Sequence, residues 1–153
     1  MPVYKFSPNG NADLKKTWTR TMLAYYAVII LVFAYNLLYK NSTALTIGLF
    51  AIIVVALVGG YIFGRKKYYA IMDSTQLITT DNDITLCVLD RPDITMAFSN
   101  IKEMTQRKDG IYLQSKIAAK PSLLIINKFA NFYELEKLIT VKIAENGLQT
   151  VVK

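Results

Sequence analysis

The sequence predicts an α-helical transmembrane hairpin followed by an α+β domain, about seven antiparallel strands in a barrel or sandwich closed by a C-terminal helix. Three observations lead there. Residues 22–39 and 44–63 are long apolar runs without a charge, residues 68–127 break into short apolar runs separated by turn residues, and residues 132–143 return to helical spacing.

The chain opens with a short polar segment, residues 1–17. Val3, Tyr4, Lys5 and Phe6 alternate like a strand, Pro8 to Asn11 is turn material, and Asp13 is placed to cap the helix that follows. Such a segment either adds to the edge of a later sheet or stays disordered, and disorder is the simpler expectation.

A hairpin unit is expected over residues 18–64, with spans at about 21–39 and 44–63. Met22 to Tyr39 has one amide, Asn36, and no charge; Ala44 to Phe63 is twenty residues with no charge. At about 1.5 Å per residue each run matches the ~30 Å hydrocarbon core of a bilayer. A buried core helix in so small a protein would keep a polar stripe, and neither run has one. A cleaved signal peptide is excluded as well. The first run begins too far from the start, lacks a small-residue exit site and leads straight into a second span.

Flanking charge sets the orientation. Lys15, Lys16 and Arg20 precede the first span, and Arg65, Lys66 and Lys67 follow the second, whereas Lys40 alone lies in the connecting turn. That bias predicts both termini in the cytoplasm of a multi-pass protein of the inner (plasma) membrane, with the lipid bilayer as the first partner. The same placement accounts for most of the net charge of +7 without invoking nucleic acid. Aromatic residues, Trp18, Tyr35, Tyr39, Tyr61, Tyr68 and Tyr69, fall near the expected interfaces.

The second span carries small residues every four positions, Ala56, Gly60 and Gly64. This strip allows close approach of another helix. Homodimerisation is one use of it. Packing against the first helix, where Ala24, Ala27 and Ala34 are available, is favoured because that helix is already tethered. Asn36 either donates to a neighbouring helix or meets water.

From Arg65 the expected domain runs to Gly147, with a tail over 148–153. Candidate strands are 68–72, 76–80, 84–89, 94–98, 103–107, 111–115 and 123–127, separated by turns rich in Asp, Asn, Ser and Pro. Asp109-Gly110 reads as a type I′ hairpin turn. The strand 103–107 is the weakest by pattern, since only Met104 is clearly apolar. Asn131 and Glu134 match a capping box before the stripe Phe132, Leu135, Leu138, Ile139 and Ile143, and Asn146-Gly147 supplies the stop.

Residues 94–143 resemble the bacterial PH-like domains, and in particular the membrane-tethered YcxB-like group. Ile94 to Lys102 is similar to that family's strand running into a short turn, Asp109 to Leu113 to its central hairpin, and Leu123 to Phe129 with Phe132 to Ile139 to its last strand and closing helix. The likeness covers about half the chain, and its motifs are structural. It implies two spans ahead of a PH-like domain. Two departures matter. Phe98 stands where the family often has tryptophan, and the turn Asp73-Ser74-Thr75 lacks the basic residues of phosphoinositide-binding PH domains.

Catalytic chemistry is sparse. The chain has no histidine, and Cys87 is a single thiol among Leu86, Val88 and Leu89, read as inert and buried. The aspartates lie in turns, and Asp81-Asn82-Asp83 lacks the Gly and Glu of a calcium loop. No enzyme activity, cofactor, metal or nucleic-acid partner is therefore expected. Arg107, Lys108, Lys116 and Lys120 are read as able to gather at one hairpin end, as a solvated rim or a patch for anionic lipid or a partner. The expectation is a non-catalytic, membrane-anchored module that binds a protein partner or scaffolds a complex. The alternatives are peripheral sensing of anionic lipid, or a small oligomeric transporter or channel subunit.

Overall fold

The computed structural model describes residues 1–39, 43–117, 121–146 and 150–152; Lys40, Lys120 and Gly147 lie outside them. The chain divides into two compact units, Asp13–Ala70 and the pair Met1–Ala12 with Ile71–Lys153.

Two helices dominate the first unit, α1 (Pro8–Tyr39) and α2 (Ala44–Ser74). They have 32 and 31 residues, about 48 and 46 Å at the α-helical rise. Both are long and apolar enough to cross a membrane, and their most apolar 18-residue windows are 0% buried within the protein. Helices of a soluble core would be covered by the rest of the chain. These expose Leu31, Val32, Leu45, Ile52, Val55 and Phe63 instead, a surface that calls for an apolar surrounding.

Both helices outrun their sequence-predicted limits. Ser7, rather than Asp13, caps α1. Its hydroxyl accepts from the Gly10 amide at 3.0 Å and its carbonyl from Asn11 at 2.8 Å. Pro8 at the first helical position needs no amide partner, so the apparent turn residues 8–11 form the first turn of a helix. At the other end, residues 68–72, predicted as a strand, continue α2. The helix stops where the Ile71 carbonyl takes up the Thr75 amide at 2.9 Å and the Thr75 hydroxyl at 2.6 Å. Period-two alternation over five residues could not reveal a helix already under way.

The second unit is of the α+β class. One sheet has the order β1-β2-β3-β4, from Val3–Lys5, Gln76–Thr79, Asp83–Cys87 and Ile94–Ala97. The other has the order β7-β6-β5-β8, where β5 is Ile101–Arg107, β6 Gly110–Ser115, β7 Leu123–Ile126 and β8 Thr150–Val152. Among the described residues every strand pairing is antiparallel except β5 with β8. The described strands do not form a closed barrel. The chain passes between sheets through a 3₁₀ turn, Phe98–Asn100.

Helix α3 (Phe132–Glu145) buries Leu135, Ile139 and Ile143. These join Leu77, Ile84 and Met96 of one sheet and Ile101, Met104, Ile111, Leu113, Leu123 and Ile125 of the other in a single core. The N-terminal segment, expected to be disordered, is built in. Tyr4 pairs with Leu77, Phe6 lies 4.5 Å from Phe129 between ring centroids, and the Ala130 amide donates to Lys5 at 2.8 Å. Buried Gly10 approaches so closely that a Cβ there would stand 2.9 Å from the Lys128 Cβ.

Two local motifs differ from the sequence reading. Arg107 pairs with Gly110, so Lys108 and Asp109 form the hairpin loop, and neither has positive φ. Gly110 instead opens β6 at φ +147°, with the Ile125 carbonyl where a side chain would go. Asn131 sits at the N-cap of α3 in the left-handed region (φ 52°, ψ 37°) without a side-chain capping bond. Its carbonyl accepts from Leu135 at 3.1 Å, so the capping box is not formed.

Candidate functional site

The six basic residues flanking the spans lie at the end of the helical unit where α1 begins and α2 ends. Lys16, Arg20, Arg65, Lys66 and Lys67 are exposed, and Lys15 is half-buried. Trp18 stacks on Tyr68 at 5.0 Å and on Tyr61 at 6.0 Å, and meets Tyr69 edge-on at 6.5 Å. The Tyr69 hydroxyl lies 3.1 Å from Thr19 Oγ1. Over the Tyr69 ring stand two cations, the Lys15 ammonium at 5.0 Å and the Arg65 guanidinium at 5.1 Å, each attracted by the ring face. The sequence placed these residues near an interface but did not show that one ring joins them. Trp18 faces Tyr61, Tyr68 and Tyr69, and the 61, 68 spacing of two turns is the signal that was available.

Small residues do less in this hairpin than their spacing suggested. A Cβ on Gly60 would lie 3.9 Å from the Tyr26 hydroxyl, and one on Gly64 would lie 3.7 Å from the Trp18 ring, both ordinary contacts. Ala56 and Gly60 are exposed, as are Ala24 and Ala27, while Gly64 and Ala34 are half-buried. The seam between the helices is filled by aromatic side chains. Tyr26 meets Tyr61 at 6.1 Å and Phe33 meets Phe50 at 6.4 Å. Asn36 turns back to donate to the Val32 carbonyl at 2.8 Å.

The basic patch of the sheet domain does not assemble as expected. Arg107 and Lys108 lie at the β5–β6 turn, with the guanidinium 4.6 Å over the Tyr112 ring. Lys116 follows the opposite end of β6, about 20 Å away along the strand. There its ammonium donates to the Ser99 carbonyl at 2.8 Å, and its amide to Asn100 at 2.8 Å. Lys116 therefore pins the turn between the sheets. Beside Arg107 and Lys108 a groove of about 360 Å³ also admits Phe132 and Glu136, and Glu136 accepts from Gln106. An acid in the groove wall works against an anionic ligand.

Sheet edges are the other accessible feature. Val151 pairs with Thr105, so the chain's own β8, within the residues expected to form a tail, covers the outer edge of β5. Strand β4 pairs only with β3 among the described residues. The Phe98 amide donates to Asn82 at 2.9 Å. With Ile84 opposite Met96 in the register, alternation makes Met96 and Ile94 bond inward and turns the backbone groups of Thr95 and Ala97 outward.

Cys87 is half-buried rather than buried. Partial burial, then a hydrogen bond to Asp93 and that residue's charge, raise its thiol pKa above the usual value. Among the described residues no three His, Cys, Asp or Glu side chains gather in a metal-binding group.

Comparison with family models, with curated proteins and with solved structures finds no match for this chain.

Proposed function

We propose that this protein is a multi-pass, membrane-anchored, non-catalytic module whose sheet unit is a PH-like domain that binds an extended segment of a partner protein. The observation that carries this reading is the outer edge of β4, which among the described residues has no strand paired to it, whereas β8 covers the outer edge of β5. An edge strand with outward amides is a template for strand addition, in which backbone hydrogen bonds give affinity and alternate side chains give selectivity. Two sheets sharing one core with a C-terminal helix support the PH-like assignment. The two long apolar helices serve as the anchor.

Pairing of β1 with β2 supports the proposed topology. Residues before α1 and after α2 belong to one sheet, so both must lie on the same side of any bilayer that the helices cross. Six basic residues at that end support placing that side in the cytoplasm, at the inner membrane.

The test uses Ala97→Pro in the full chain. Ala97 has φ −69°, which proline adopts without strain, and its amide points away from β3. Cross-linked purification in mild detergent should recover a stoichiometric partner with the unaltered chain and lose it with Ala97→Pro, at unchanged thermal stability. A partner retained by the variant, or no stoichiometric partner with either chain, overturns the proposal.

A further inference from the structure

We propose that α2 carries a site for an anionic phospholipid at the inner lip of the helix hairpin, with the headgroup held by Arg65 and Lys66 and an acyl chain laid along Tyr61 and Ile62. This goes beyond the partner-binding role and stands on different residues.

Spacing puts the parts on one face. Ile62, Arg65, Lys66 and Tyr69 follow one another at i, i+3, i+4 and i+7, one stripe of a helix. Together with Tyr61 they line a notch of about 260 Å³ whose exposed wall is mostly apolar. A surface with an apolar floor and two cations at its rim matches an amphiphile bearing negative charge. A free anion would gain nothing from Tyr61 and Ile62.

Depth points to the same ligand. Ala44 to Arg65 is about 32 Å of helix, one hydrocarbon thickness, so the guanidinium falls at headgroup level when the apolar run fills the core. The rim is also pre-organised. Tyr69 is tied to Thr19 at 3.1 Å, and its ring carries Arg65 from α2 and Lys15 from α1. Two cations drawn to one ring repel each other, and a phosphodiester beside them relieves that repulsion while accepting the planar fork of the guanidinium.

Trp18 is the one tryptophan of the chain, and it lies 6.0 Å from Tyr61 and 6.5 Å from Tyr69. Quenching of its emission by lipids with brominated chains therefore reads occupancy of the notch. The full chain is placed in phosphatidylcholine nanodiscs containing brominated phosphatidylglycerol or, at equal mole fraction, brominated phosphatidylcholine. Each cation near the surface is worth about fivefold in affinity, so the anionic lipid should quench at a several-fold lower mole fraction. The pair Arg65→Gln with Lys66→Gln should abolish that preference. Arg65→Lys should keep most of it. Lys16→Gln with Lys67→Gln removes the same charge from outside the notch and should leave the preference in place. Millimolar inorganic phosphate should not reverse the quenching. Equal quenching by the two lipids, equal loss in both double variants, or reversal by phosphate would each overturn the proposal. They correspond in turn to no site, diffuse attraction and a phosphate site.

Discussion

At Cys87, partial burial and the carboxylate of Asp93 act in the same direction. Both disfavour the thiolate, and the pKa rises. A raised thiol pKa lowers the thiolate fraction at any pH below it, so alkylation by iodoacetamide at pH 7 should run slower than for a free cysteine. A free thiol with pKa of about 8.5 begins to level off above pH 9, where the Cys87 rate should still be climbing. Asp93→Asn removes the charge while leaving the burial, and should move the pH–rate curve to lower pH without restoring the free-thiol curve. An unchanged curve in that variant would mean that burial alone holds the thiol neutral. Sequence alone missed this partner because Asp93 stands six residues away, across the β3–β4 turn.

Element by element, what the sequence shows depends on whether a pattern is local. The stripe Leu135, Ile139 and Ile143 repeats every four residues, and α3 forms where it was expected. Strand β5 is harder to read, although at 7 residues it is the longest of the described strands. A register shift between Ile101 and Glu103 changes the parity of the strand, so that Ile101 and Met104 both reach the core. An observer counting every second residue sees no stripe there. β1 was legible as an alternation but not as a paired strand, and β8 not at all, since three-residue strands draw their stability from partners 73 or 46 residues distant in the register pairs Tyr4–Leu77 and Met104–Thr150. The Ala56, Gly60 and Gly64 strip was legible as a spacing, yet spacing does not say what lies opposite. Opposite Gly64 is the flat ring of Trp18, with room for a methyl group. Gly64→Ala should therefore leave Trp18 emission unchanged and thermal stability in detergent within about 1 kcal/mol of the original. Gly64→Leu should displace the ring, shift its emission and lower stability. If both substitutions behave alike, the Trp18 ring is not what the glycine accommodates.

On the scale of the whole molecule, the chain is threaded so that its sheet unit is discontinuous. Residues 13–70 are inserted between β1 and the strand it pairs with. The N-terminal residues do more than decorate an edge. Tyr4 and Phe6 pack against the core, Phe6 meets Phe129 in a tilted ring pair, and the Ser7 amide donates to the Lys128 carbonyl at 2.9 Å. Loss of two partly buried aromatic rings and several backbone hydrogen bonds should cost about 3 kcal/mol or more, a large part of the stability of a small domain. Residues 71–153 alone should therefore unfold at markedly lower urea, or without a cooperative transition. A chain in which a flexible linker replaces residues 13–70 should recover a sharp transition, because it restores β1 without the membrane helices. In that rejoined chain Gly10→Leu should undo the recovery, since the buried glycine has no room beside Lys128. The comparison separates two accounts of the N-terminus. If 71–153 is as stable as the rejoined chain, residues 1–12 are an appendage; if only the rejoined chain folds, the two long apolar helices are inserted within a domain that needs both of its flanking segments.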